Sequence, residues 1–230
     1  QRQMCIRDRS VWGGEQTCGI GVATADSPQG PFTDHGKMFR SNEIGVQNSI
    51  DPSLLQYEGR NYLVWGSFRG IYVIELTADG LSIMPGAKKK RIAGTAFEAV
   101  YIHKHGDYYY MFASIGSCCQ GVKSTYKVVV GRSKKVWGPY KDKTGKPMLK
   151  NGYSLVIGAN DHFVGNGHGS QIIQDDAGQD WLLYHGFSRS TPENGRILLL
   201  DQIKWDQEGW PYVEGGSPSY ETQKAPVFNN

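Results

Sequence analysis

Asp51 and Glu98 hold one position in two stretches of the chain that align without a gap, residues 49–67 on residues 96–114. Carboxylic acids paired by a repeat can divide acid and base work, because one stays protonated while its neighbour carries the charge. Each stretch reads as a strand, a turn and a second strand. The turns coincide at Gly59 and Gly106, and the second strands run Asn61-Tyr62-Leu63-Val64-Trp65 and Tyr108-Tyr109-Tyr110-Met111-Phe112. A third copy follows, with Gln171-Ile172-Ile173-Gln174 as its first strand and Gly178-Gln179-Asp180-Trp181-Leu182-Leu183-Tyr184 as its turn and second strand. Reading back through one extra residue at Asp175-Asp176-Ala177 brings His168 within about two positions of the shared slot. Three units thus offer Asp, Glu and His.

The elements that must position these groups are strands. Runs of Val, Ile, Tyr, Trp and Phe bounded by Gly, Pro, Asn and Asp recur, and no long segment sustains helical periodicity with caps. A second repeat marks the outer part of each unit, residues 22–34 aligning with residues 130–142 through Gly30-Pro31-Phe32 and Gly138-Pro139-Tyr140. Half of that spacing lands on another strand and turn, Ile74-Glu75-Leu76-Thr77-Ala78-Asp79-Gly80, so one unit is about fifty residues, the length of four short strands. All-β units of this kind point to a β-propeller, whose innermost strands face a central channel. The shared slot then lies at the start of each innermost strand. A sandwich or open solenoid is the other all-β arrangement, but neither needs gapless self-similarity at this period.

The composition fits one globular domain, with 39% apolar residues and 30 glycines in 230 residues. A net charge of +3 is too small to imply nucleic acid, and the basic run Lys88-Lys89-Lys90-Arg91 reads as a solvated loop between units. No apolar stretch approaches the roughly twenty residues of a membrane span. Residues 1–9 show neither strand alternation nor a helix start and read as a foreign or disordered leader, leaving residues 10–230 as the domain. Cys118 and Cys119 are adjacent, Cys18 is solitary, and no Cys-x-x-Cys spacing exists, so the expectation from these residues is a buried, reduced Cys pair.

Ser-Ile-Asp-Pro-Ser at 49–53, Phe-Glu-Ala at 97–99, Ser-Cys-Cys-Gln-Gly-Val-Lys-Ser-Thr-Tyr-Lys at 117–127 and Gly-Asn-Gly-His-Gly-Ser at 165–170 together resemble family 43 glycoside hydrolases, arabinanases above all. The resemblance runs from about Ser10 to Pro211. It implies a five-bladed β-propeller that cleaves α-1,5-L-arabinan or arabino-oligosaccharides with inversion, with arabinofuranosidase or xylosidase activity as the neighbouring alternative. It implies Glu98 as proton donor, Asp51 as the carboxylate that tunes the donor's pKa and orients substrate, and His168 as holder of a calcium ion with its waters. On residue chemistry alone, a His between glycines serves equally as a hydrogen-bonding part of the channel wall. A glycan- or protein-binding propeller without catalysis is the reading from outside the enzyme class.

Position on the cleft face nominates Asn48, Ser49, Ile50, Ser67, Phe68, Arg69, Cys118 and Cys119 as sugar contacts, with Trp12 and Gly14 from the first loop. Trp65, Trp181 and Trp205 read as blade core, and Arg196 as a solvated cation. The substrate class favours a secreted or periplasmic location, and the full-length protein is expected to be a monomer.

One departure from the family pattern shapes the expected activity. The chain begins at what reads as the third strand of blade II, so blade I and the start of blade II are absent, and the general base with them. Asp8 and Asp26, the aspartates nearest the start, sit in no innermost-strand motif. These 230 residues alone are therefore expected to hydrolyse arabinan at least about 10²-fold more slowly than the same chain joined to such a base, which reducing-sugar release from linear arabinan measures.

Overall fold

The computed structural model describes the backbone of residues 3–5 and residues 14–229. The chain divides into two compact units, residues 1–101 with 149–151, and residues 102–148 with 152–230.

In the first unit, β1 (Gln3–Cys5), β2 (Gly19–Ala25) and β3 (Thr33–Arg40) form one antiparallel sheet. Gln3–Cys5, in the leader set aside on sequence grounds, thus pairs with β2 through Gln3 opposite Ala25. After the single-turn helix α1 (Ser41–Ile44) comes a second sheet of β4 (Ser53–Tyr57), β5 (Arg60–Trp65), β6 (Ile71–Glu75) and β7 (Lys90–Ala93), paired in chain order. Glu58 and Gly59 close the β4–β5 hairpin with φ of 49° and 73°, the left-handed pair that a two-residue turn requires to match strand twist. Ile20, Phe39, Val46, Leu63, Trp65, Ile74 and Leu76 pack between the two sheets. Phe39 and Trp65 meet with ring centroids 5.3 Å apart, and the Trp65 indole N–H donates to Ser49 Oγ at 3.1 Å. The basic run differs from its expectation: Lys90 and Arg91 belong to β7, where sheet pairing extends the strand into the polar stretch.

Two further sheets follow. One orders β8 (Glu98–His105), whose first four residues belong to the first unit, with β9 (Tyr108–Ile115), β10 (Lys127–Ser133) and β11 (Ser154–Ile157) of the second, again in chain order. In the other, β14 (Asp180–Ser188), β15 (Arg196–Trp205) and β16 (Pro211–Tyr212) follow one another, and β14 takes two short partners on its free side. β12 (Phe163–Gly167) pairs near one end of β14 and β13 (Ile173–Gln174) at the other. The third repeat's first strand is therefore broken, and His168 lies at the break. The outer repeat is reproduced in detail, because Gly30–Pro31 and Gly138–Pro139 are both cis peptides.

Trp65 is expected inside and is fully buried; Trp181 is buried too, donating its indole N–H to Asp175 Oδ2 at 2.9 Å. Trp205 is half-buried, its indole N–H held by Asp180 Oδ2 at 2.8 Å. Among the described residues no helix is long and apolar enough to cross a membrane. Trp65→Ala should remove about 3–5 kcal/mol of stability by cavity formation, read from urea unfolding followed by circular dichroism.

Candidate active site

Glu98 is the first residue of β8 and is 7% exposed. A carboxyl taken from water needs hydrogen-bond partners, and Ser67 Oγ donates to Glu98 Oε2 at 2.7 Å. Ser67 is itself held: the Asn48 amide donates to its Oγ at 3.0 Å and to its carbonyl at 3.1 Å. Behind this chain, Ser49 Oγ donates to Val46 O at 2.8 Å, and Ser41 Oγ takes the Ser49 N–H at 3.0 Å while donating to Cys18 O at 3.0 Å. Ser49 is fully buried, so it supports the site from beneath and is not open to a sugar. Ile50 is half-buried and its carbonyl accepts from Gly66 N at 3.0 Å.

Asp51 acts on the same strand through the backbone. Its Oδ2 accepts the Ala99 N–H at 3.0 Å, one residue beyond Glu98, while Phe68 N–H donates to Phe97 O at 2.9 Å, one residue before it. The two acids that the repeat aligned are thus brought together, with the Asp51 carboxylate gripping the peptide that carries Glu98. Asn48, Asp51, Phe68 and Ala99 have φ of 53°, 55°, 51° and 51°. Left-handed backbone is uncommon for non-glycine residues and concentrates at functional sites. Four such residues around one buried carboxyl single out this corner.

Phe68 is half-buried beside Ser67. Arg69, expected as a sugar ligand, is tied up differently: Nε and Nη2 donate to the two Glu15 carboxylate oxygens at 2.8 and 2.7 Å. Both side chains are nearly half exposed, and the planar guanidinium matches a carboxylate in this two-pronged way. Glu15 lies in no repeat, so no sequence signal pointed to it. Gly14 is exposed with φ of 94° and open space where a Cβ would stand. Trp12 and Asp8 lie outside the described residues.

The second unit holds the third slot. His168 is exposed, with φ of 53°, and its backbone N–H donates to Ser114 Oγ at 2.8 Å. Ser114 aligns with Ser67, so in successive repeats the serine ending one second strand binds the slot residue of the next, side chain in one case and backbone in the other. That shared serine was the signal for Ser114 in the sequence. The His168 ring lies 6.3 Å from His185. Burial, with Arg196 and His168 nearby, pushes the His185 imidazole down to about 4.

Cys118 and Cys119 correct their expectation: they are joined as a disulfide, Cys118 half-buried and Cys119 exposed, and Arg196 Nη2 donates to Cys119 Sγ at 3.2 Å. Burial failed as a guide because the pair follows the end of β9, in the loop before a short 3₁₀ turn, where no sheet covers it. Arg196 is exposed, as expected, but has this partner.

A buried acid locked by serine, with a second carboxylate on the adjoining peptide, at the start of a strand in four-stranded antiparallel units, defines the class. Residues 5–211 match Glycosyl hydrolases family 43, and the chain belongs to that family. It is 37% identical over 224 residues to the extracellular exo-alpha-(1->5)-L-arabinofuranosidase of Cellvibrio japonicus, covering 87% of this chain and 63% of that protein. To the extracellular endo-alpha-(1->5)-L-arabinanase 1 of Bacillus subtilis it is 36% identical over 207 residues, covering 86% of this chain and 61% of that one. The chain therefore spans less than two thirds of the length of either relative. The solved alpha-L-arabinanase of Cellvibrio cellulosa in complex with arabinohexaose is similar with a TM-score of 0.81 at 32% identity, covering 93% of this chain and 77% of that one. The fold class is the all-β, five-bladed propeller family of these arabinanases.

Asp51→Ala removes the acceptor for the Ala99 N–H and places Ala in left-handed backbone, so a loss of about 1–3 kcal/mol is expected. Asp51→Asn keeps an acceptor and tolerates that φ, and should retain most of the lost stability. Denaturant midpoints and the exchange rate of the Ala99 amide read the difference.

Proposed function

We propose that this protein is a glycosidase of the arabinan endo-1,5-α-L-arabinosidase kind, acting on α-1,5-linked arabinan or its oligosaccharides with Glu98 as proton donor. The observation that carries the reading is the buried Glu98 carboxyl, fixed by Ser67 Oγ at 2.7 Å and by the Asp51 grip on Ala99. Glycosidic cleavage passes through an oxocarbenium-like state. In the inverting reaction, one carboxyl protonates the leaving oxygen while another, roughly 6.5 to 9.5 Å away, activates water. A donor held at one side-chain oxygen and at its backbone is pre-aimed, which is worth more in the transition state than in the ground state.

Asp51 has one oxygen committed to a backbone N–H, which favours a role in orienting the acid and setting its proton affinity over a role as base. Asn48 and Phe68 flank the acid, where an amide and a ring face suit sugar hydroxyls and the apolar side of a furanose. Arabinan as substrate is supported by the names of the relatives, and secretion by the two that are called extracellular. Monomeric behaviour of the full-length protein belongs to the same proposal.

Calcium at His168 rests on a sparser donor set. Calcium collects about six to eight oxygens, and among the described residues no trio of His, Cys, Asp or Glu gathers at His168. An ion there would take its oxygens chiefly from water, with the imidazole as a single protein ligand. No catalytic step is assigned to it. If it binds, EGTA lowers the melting temperature of the wild-type chain and has no effect on His168→Ala; equal responses would remove calcium from that position.

Glu98→Gln keeps the shape and the Ser67 hydrogen bond while deleting the transferable proton. Cleavage of linear 1,5-arabinan should fall by about 10²- to 10⁴-fold relative to the unsubstituted chain, with oligosaccharide binding retained. Undiminished turnover in Glu98→Gln would overturn the assignment. Binding without cleavage in both forms would favour the glycan-binding reading. Product length from unlabelled arabinan separates internal from terminal cleavage.

A further inference from the structure

We propose that His103, His105 and Asp180 form a binding site for a divalent transition-metal ion of the zinc type, in the second unit. His103 and His105 alternate by two along β8, so both side chains leave the same face of the strand. Asp180 is the first residue of β14 and is 6% exposed. The donor atoms of the three residues lie within 4.8 Å of one another, and His105 Nδ1 is 3.9 Å from Asp180 Oδ2. That separation is too long for a hydrogen bond. Two ligands of one tetrahedral zinc stand about 3.4 Å apart, so closure to an ion needs movements of about an ångström or less in rotatable side chains.

The surroundings orient the ligands in the manner of an outer shell. The Trp205 ring stacks on His105 with centroids 3.7 Å apart and planes 8° from parallel, and lies 6.0 Å from His103 at 18°. The same indole donates to Asp180 Oδ2 at 2.8 Å, and Gln174 Nε2 donates to Oδ1 at 3.2 Å. One tryptophan thereby sets the plane of one ligand and the rotamer of another. Two imidazoles and one carboxylate suit zinc or its neighbours and not calcium or magnesium, which prefer all-oxygen shells. Three protein ligands leave a fourth position for water, and the two half-buried histidines keep a path open to solvent. Bound metal would join the end of β8 to the start of β14, two strands of different sheets.

The test titrates the full chain with zinc chloride by calorimetry and thermal unfolding. Expected are one zinc per chain with a dissociation constant of roughly 100 μM or tighter, a melting temperature that rises with zinc concentration, and a response to calcium or magnesium that His103→Asn does not alter. His103→Asn and Asp180→Asn should each weaken zinc binding at least tenfold, the latter keeping an acceptor for Trp205, while replacing the exposed His162 by Ala leaves it unchanged. Circular dichroism checks that each variant is folded. His103 makes no hydrogen bond within the described residues that its loss would break, so His103→Asn decides the matter if Asp180→Asn unfolds. Absent zinc binding in the wild-type chain, or zinc binding that His103→Asn leaves intact, overturns the proposal.

Discussion

A carboxyl group shut away from water has to be supplied with partners, and in this protein that requirement falls on Glu98. Ser67 meets it directly, Asn48 holds Ser67, and Asp51 and Phe68 clamp the backbone on either side at Ala99 N–H and Phe97 O. These partners come from two connections, Asn48 and Asp51 from the one before β4 and Ser67 and Phe68 from the one between β5 and β6. The strands β4, β5 and β6 must therefore be in register before these bonds can form together. The buried Trp65, whose indole N–H ends on Ser49, links the polar chain to the apolar core that keeps those sheets together.

Backbone strain gathers around Glu98 and at the aligned His168. Left-handed φ at Asn48, Asp51, Phe68, Ala99 and His168 is tolerated because hydrogen bonds to fixed neighbours over-determine each position. The same device appears in the third repeat with a different outcome. Ser114 binds the backbone of His168 and leaves the imidazole exposed, so a slot that buries an acid in one repeat presents a ring to solvent in another.

Residues away from the slot carry their own constraints. Arg69 is engaged by Glu15, which turns an expected sugar ligand into an anchor for the loop that begins at Gly14. Arg196 meets the Cys118–Cys119 disulfide. On β8 the two histidines lie beyond Phe97-Glu98-Ala99, and Trp205, expected only as core, organises them with Asp180.

Strand type, the four-strand unit and the common position of Asp51, Glu98 and His168 were legible in the sequence. Alternation and repetition are local properties, and a repeat aligns positions whatever the distance between them. The cis Gly-Pro pair at the outer turns also had its trace there, as identical dipeptides at matching places. What a linear pattern does not carry is which atom of one repeat reaches which atom of the next. The Asp51 contact to Ala99 N–H, the Glu15 partner of Arg69, and the meeting of His103 and His105 with Asp180 all join residues far apart in the chain. Only the packing of whole sheets sets those distances, so the position of the acid belonged to the sequence and its environment to the tertiary structure.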